Sequence, residues 1–235
     1  FIPDVTTAKV PGIFRGRPVI SNIKVDESEL ADLCPTGAIS KAPLSIDLGK
    51  CTFCGECARQ FPDKISFTSD YKLSTNIRER LIITEGSDNE ISLDPDLVRK
   101  EIKNCFGHSL KLRQVSAGGD NSCEMELNAA NNVQFDMSRF GIEFVASPKH
   151  ADGILITGPI SENMARAVDI CYEASADPQI IILAGTDAIS GGIFKESNAL
   201  ERDFVKKHKI DLYIPGNPPH PLTIINGLLD LMNWD

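Results

Sequence analysis

Ala151-Asp-Gly-Ile-Leu-Ile-Thr-Gly158 reads as a short strand over Gly153–Thr157 that runs into a glycine turn. Its apolar residues follow one another without alternation, the pattern of a parallel strand covered by helices on both faces. Outward from it the texture repeats. Leu110–Ser116, Ile142–Ala146, Gln179–Ala184 and Ile210–Ile214 read as further strands, and Cys123–Asn131, Glu162–Ala174, Phe194–His208 and Leu222–Met232 as helices. Alternating strands and helices predict an α/β fold with a doubly wound, flavodoxin-like parallel sheet. Several strands end in Gly118-Gly119, Gly158-Pro159, Gly185-Thr186 and Gly216. Open α/β sheets place ligands at the carboxyl ends of their strands. The loops after Ala117, Ala184 and Pro215 are therefore the candidate site of this half.

The chain has 235 residues, 42% hydrophobic, with 24 basic and 33 acidic side chains and a net charge of −9. The length suits about two domains, and the apolar content excludes a disordered chain. The acidic balance argues against nucleic acid as a partner. No apolar run reaches the roughly 18 residues of a membrane span, and no signal peptide is visible. The chain begins at Phe1 rather than Met, which leaves room for sequence before it. Residues 1–18, punctuated by Pro3, Pro11, Gly12, Gly16 and Pro18, read as an arm. Residues 19–75 form a small cysteine-rich unit that needs a staple. Residues 76–108 read as a connector with a helix at Asp96–Phe106 after Asp94-Pro95, and 109–235 as the α/β domain.

Seven cysteines are present, with Cys51, Cys54 and Cys57 in C-x-x-C-x-x-C spacing and Cys34 followed by Pro35. An odd count in this pattern points to a metal or cluster in a reducing compartment rather than to a disulfide framework. Aligned on itself with an offset of 27 residues, the chain places Cys34-Pro35 on Phe61-Pro62, and Cys51, Cys54 and Cys57 on Lys24, Glu27 and Leu30. This is the two-fold repeat of a bacterial ferredoxin, in which the fourth cysteine of each unit ligates the other unit's cluster. The N-terminal unit is thus expected to be an α+β ferredoxin-like domain. All four ligands of one cluster are present, and all four of the other are replaced. One 4Fe–4S cluster on Cys34, Cys51, Cys54 and Cys57 is expected, with Leu30 and Phe61 filling the vacated space. A zinc site is the alternative, since C-x-x-C also suits tetrahedral zinc, but it leaves the Cys-Pro partner and the repeat unexplained.

Phe14-Arg-Gly-Arg-Pro-Val19 ahead of this repeat resembles the ferredoxin subunits of energy-converting nickel–iron hydrogenases and complex I relatives. The second half resembles their small electron-transfer subunit, which carries the terminal N2-type cluster. The stretches that carry the likeness are Val115–Glu124, Phe140–Pro148, Ala151–Gly158, Gly185-Thr-Asp-Ala-Ile-Ser-Gly-Gly192 and Pro215-Gly-Asn-Pro-Pro219. The resemblance implies a proximal cluster on four cysteines, whose positions here hold Asp120, Cys123, Asp187 and Asn217. Two carboxylates and an amide supply too little thiolate for a conventional cluster, so this second cluster is expected to be lost. The set could take another divalent metal or consist of solvated loop residues. Glu124 matches a family glutamate associated with proton movement, and a carboxylate in a helix's first turn is also favoured by the dipole alone. Cys105 and Cys171 are expected to be buried apolar residues. No histidine spacing suits a metal, although His220 lies beside the altered loop. Neither glycine pair fits a phosphate-binding fingerprint, so no flavin or nucleotide is expected.

The resemblance implies a non-catalytic electron-transfer subunit of a membrane-associated oxidoreductase. It would sit on the cytoplasmic face of the membrane through its partners, which are a hydrogenase large-subunit-like or complex I 49 kDa-like protein and other membrane-complex subunits, with a soluble ferredoxin as a further candidate. The alternatives are a docking subunit whose second domain no longer transfers electrons, and an enzyme built around a new metal at the altered loops.

Overall fold

The computed structural model describes residues 4–87 and 90–234. The start of the arm with Pro3, positions 88–89 of the connector and Asp235 lie outside the described residues.

The N-terminal half is built from β1 (Pro18–Ile20), α1 (Glu27–Asp32), β2 (Ile39–Ser40), β3 (Ser45–Asp47), α2 (Glu56–Gln60), β4 (Ile65–Phe67) and β5 (Ile82–Thr84). Asp26 starts α1 by accepting from the Ser28 and Glu29 amides at 2.9 and 3.2 Å, which satisfies two otherwise orphaned donors. β1 pairs antiparallel with β4, and β3 lies between β2 and β5. The 27-residue offset recurs in these elements. It lays β1 on β3, α1 across α2 and β2 on the last two residues of β4. β5 comes from the connector and widens the second sheet.

The C-terminal half continues with α3 (Lys100–Cys105), β6 (Leu110–Ser116), α4 (Ser122–Ala130), β7 (Ile142–Phe144), β8 (Gly153–Thr157), α5 (Glu162–Glu173), β9 (Ile180–Ala184), α6 (Thr186–Ser190), α7 (Asp203–Lys207), β10 (Leu212–Ile214) and α8 (Pro221–Met232). Its five strands are parallel, in the order β7-β6-β8-β9-β10. That is the flavodoxin-like order, whose switch point lies between β6 and β8. The loops after these two strands touch. A Cβ on Gly119 would lie 3.0 Å from the Gly158 Cα. β8 and β9 are buried along their whole lengths, as their unalternating sequences require.

Two expected helices differ. Phe194–His208 is helical only over α7, preceded by a 3-10 turn at Gly192–Phe194. Between them the chain runs beside the start of α5. The Glu162 amide donates to the Ala199 carbonyl at 2.7 Å and the Glu201 amide to the Ile160 carbonyl at 3.0 Å. These tertiary backbone bonds outcompete helical propensity. The expected Asp96–Phe106 helix begins only at Lys100. Arg99 is extended (φ −57°, ψ 137°), and its guanidinium is held by Asp211 at 3.0 Å from two nitrogens and by the Gln179 carbonyl. Cys105 is exposed rather than buried, because α3 is a single short helix with that face to solvent, and Cys171 is half-buried.

The two halves share their interior. One apolar cluster joins Leu30, Ile46, Leu48 and Leu81 to Val115, Ile156, Leu183 and Ile189. A second packs α8 and the other sheet face against Val5 and Tyr71. The Val5 carbonyl accepts from the Tyr71 hydroxyl at 3.1 Å and the Asn226 amide at 3.0 Å, which fixes the arm. Thr75 and Tyr213 exchange backbone bonds, the Thr75 amide donating at 3.1 Å and the Tyr213 amide at 2.8 Å.

Candidate functional site

Cys34 follows α1, and Cys51, Cys54 and Cys57 lie on the loop from β3 into the first turn of α2. Tight loop geometry makes this possible: Phe53 and Gly55 both adopt left-handed φ, 53° and 77°. All four cysteines line one small, mostly apolar cavity, together with Pro35, Ala38, Ile46 and Phe67. The Ala38 amide donates to Cys34 Sγ and the Phe53 amide to Cys51 Sγ, both at 3.3 Å. Burial pushes the Cys51 thiol up to about 12, against the Phe53 amide, with the other three sulfurs adding to the rise. Burial likewise pushes Cys57 up to about 11, opposed by the Ala58 amide. Four mutually interacting sulfurs in a mostly apolar cavity, with amides aimed at them, fit a thiolate-ligated cluster. Cys51 is buried, Cys34 and Cys57 half-buried, and Cys54 exposed.

The repeat-related positions carry no such set. Leu30 is fully buried and Phe61 packs against the same apolar cluster. Close by, the ammonium of Lys64, 2% exposed, donates to the Ser21 and Ile23 carbonyls at 2.7 and 2.6 Å and pairs with Glu85. A buried cation thus organises the loop that corresponds to the cysteine loop.

Asp120 and Asn217 lie on the loops after β6 and β10, and Cys123 and Asp187 in the first turns of α4 and α6, the helices that follow β6 and β9. Cys123 Sγ packs into the space a Cβ on Gly185 would need, at 2.5 Å from it. Burial pushes its thiol up to about 12, and Glu124, Asp187 and Asp120 add to the rise. Asp120 is exposed and turned onto its own loop, accepting from the Ser122 amide and hydroxyl at 2.9 and 2.6 Å. Asp187 is 6% exposed, and its Oδ1 has no hydrogen-bond partner. Burial raises its carboxyl, Asp120 adds to the rise and Arg202 opposes it. Arg202 clasps this region by donating to the Pro159, Asp187, Ala188 and Ile189 carbonyls at 2.8–3.3 Å. Glu124 is buried in the first turn of α4, where Oε1 accepts from the Ser116 and Thr157 hydroxyls, both at 2.6 Å. Among the described residues, no three His, Cys, Asp or Glu side chains gather as a single metal ion requires.

The native state holds the Asp187 proton more tightly than the unfolded chain does. Stability from this group therefore falls as pH rises from the unfolded carboxyl value, about 3.9, through the raised folded one. Asp187→Asn removes that penalty. The variant is expected to be more stable than the parent at pH 7, with the gap narrowing toward pH 4 in denaturant curves. A gap independent of pH would overturn this.

Thr186 was not singled out from the sequence, yet it joins the two regions. Its hydroxyl donates to the Cys51 carbonyl at 2.8 Å, and its amide to the Gly216 carbonyl at 2.8 Å. A larger cavity opens beside it, lined by Arg15, Phe53 and Cys54 on one side and by Asn217, Pro218 and His220 on the other. His220 caps α8 by accepting from the Leu222 amide through Nδ1 at 3.1 Å, and its ring meets Phe14 edge-on. Burial lowers its pKa.

Residues 121–231 match the family described as NADH ubiquinone oxidoreductase, 20 Kd subunit. A probable membrane-bound hydrogenase subunit of Pyrococcus furiosus is 35% identical over 124 residues, which cover 53% of this chain and 74% of that protein. Formate hydrogenlyase subunit 7 of Escherichia coli is 39% identical over 114 residues, covering 48% and 45%. A chain of the solved archaeal membrane-bound sulfane sulfur reductase complex is 28% identical, with a TM-score of 0.48 over 54% of this chain and 70% of that one. The flavodoxin-like sheet order, the three strand-end loops and the hydrogenase relative agree: the chain belongs to the family of the 20 Kd subunit of NADH ubiquinone oxidoreductase and its hydrogenase counterparts.

Proposed function

We propose that this chain is an iron–sulfur electron-transfer subunit of a hydrogenase-like or complex I-like membrane oxidoreductase. It is organised as the arm (1–18), a ferredoxin-like unit (19–75), a connector (76–108) and the 20 Kd-type domain (109–235). One 4Fe–4S cluster is held by Cys34, Cys51, Cys54 and Cys57. The observation that carries this is the single cavity lined by all four sulfurs, two of which accept backbone amides. Zinc, the other metal that suits C-x-x-C pairs, leaves the Cys34-Pro35 partner and the 27-residue repeat without a reason. Such a cluster, when bound, supplies one-electron storage. The chain's own residues fix the cysteine loop, exclude water from Cys51 and leave Cys54 at the surface.

The altered loops do not fit a second cluster. Cys123 is the one thiol among four positions, it is buried among acids, and its sulfur fills the space beside Gly185. No electron step is assigned there. This favours, as a second reading, a 20 Kd-type domain kept as a docking surface for a hydrogenase large-subunit-like or 49 kDa-like partner, with a soluble ferredoxin as a candidate redox partner. No helix among the described residues is long and apolar enough to cross a membrane. The proposed place is on the cytoplasmic face, through partner subunits.

Iron and acid-labile sulfide per anaerobically purified chain test the proposal. About four iron with one EPR signal after reduction is expected. About eight iron with two interacting signals would restore the second cluster and overturn the reading of the altered loops.

A further inference from the structure

Cys54 is the exposed member of the four cysteines, so its side of the cavity is where solvent and outside charge reach the group they hold. The arm delivers one side chain there. Arg15 Nε donates to the carbonyl of Phe53, the residue before Cys54. Its Cδ lies 3.0 Å from where a Cβ on Gly55 would be, the residue after Cys54. The absence of a side chain at Gly55 (φ +77°) is what admits the arginine. The arm is fixed on either side of this contact. The Phe14 amide donates to the Pro11 carbonyl at 2.9 Å, the Gly16 amide to the Thr68 carbonyl at 2.8 Å and the Arg17 amide to the Asp70 carbonyl at 3.1 Å.

The other cations of this neighbourhood are paired with carboxylates. Lys50 and Arg78 pair with Asp47 at 3.8 and 2.7 Å, and Arg59 pairs with Glu56. Arg15 bonds instead to a neutral carbonyl, and among the described residues no carboxylate pairs with it. One-electron reduction adds one negative charge to a thiolate-ligated cluster, and net charge and hydrogen bonding set its potential. A fixed cation beside it stabilises the reduced form more than the oxidised one.

We infer that Arg15 is a positioning residue which raises the reduction potential of the group held by Cys34, Cys51, Cys54 and Cys57, by holding an unneutralised guanidinium across the Phe53–Gly55 turn. This rests on the cluster reading above. The glycine-arginine contact also explains why the arm is built against the cysteine loop rather than left free.

The test is a dithionite titration of the anaerobic chain, with redox mediators and EPR readout, on the parent, Arg15→Gln, Arg15→Leu and Arg15→Lys, each first assayed for iron and sulfide. At equal iron content, both neutral variants are expected to be harder to reduce. The shift should approach a tenfold change in the reduced-to-oxidised ratio at fixed poise, which is 59 mV for one electron. The lysine variant should retain most of the parent potential, and the gap should narrow at high salt because the guanidinium is exposed. Equal midpoints at equal iron content overturn the inference. A lysine variant that falls as far as the glutamine one overturns the assignment to charge. A parent chain without iron overturns the cluster reading itself, and the iron assay separates that failure from the others.

Discussion

Cys51→Ala is expected to take the iron content from about four per chain to less than one and to abolish the reduced-state EPR signal. Cys51 is buried, accepts the Phe53 amide at 3.3 Å and interacts with the other three sulfurs. It is also tied through its carbonyl to the Thr186 hydroxyl. Removing it deletes one of the four proposed ligands of a single group, and among the described residues no other cysteine lines that cavity. Cys123, the other buried thiol, sits among Glu124, Asp187 and Asp120 instead. Cys123→Ala is the matched control and should leave iron, sulfide and signal unchanged. Iron lost in proportion in both variants would mean that two clusters are present. A full complement in Cys51→Ala would remove the loop from the ligand set.

Lys64→Met is expected to destabilise the chain by about 3 kcal/mol, the scale for breaking a buried charged pair by removing one partner. For a chain of this size that lowers the melting temperature by roughly 6–12 °C. The ammonium is 2% exposed and satisfies two carbonyls as well as Glu85, whose side chain is 31% exposed. Met matches the chain length but leaves the Ser21 and Ile23 carbonyls without their donor and Glu85 without its cation. Glu85→Gln keeps a hydrogen-bonding group in a partly solvated place and should cost less than half as much. Thermal unfolding of the three proteins under one anaerobic buffer decides this. A Lys64→Met melting temperature within 2 °C of the parent would show that the loop does not depend on the cation.

The sheet was legible because β8 and β9 are buried on both faces, and that constraint writes itself into uninterrupted Ile and Leu. The 27-residue offset read from the cysteine unit reappears in the backbone, where β1 falls on β3. The short helices were less legible. Residues 195–202 have helical composition, but their backbone is spent on Ile160 and Glu162, a contact made across sequence and invisible to local propensity. The site was readable as a set of positions and not as an environment. Asp120 and Asp187 look alike in sequence, yet one is a solvated turn residue and the other an enclosed carboxylate with an orphan oxygen. Lys64 carried no motif, and Thr186 only its place in a glycine turn. Their roles depend on which carbonyls happen to lie within 3 Å once the two halves are packed.

The exchange of backbone bonds between Thr75 and Tyr213 bears on how the chain can be divided. β10 is the outer strand of the five-stranded sheet, with β9 on its other side, and such a strand offers a row of unsatisfied amides and carbonyls to any neighbour that fits. Thr75, from the far end of the cysteine unit, occupies that row. The N-terminal half therefore also serves as a guard against self-association. A fragment beginning near residue 109 would keep the whole parallel sheet and yet lose its guard, becoming prone to stacking edge to edge with its own copies.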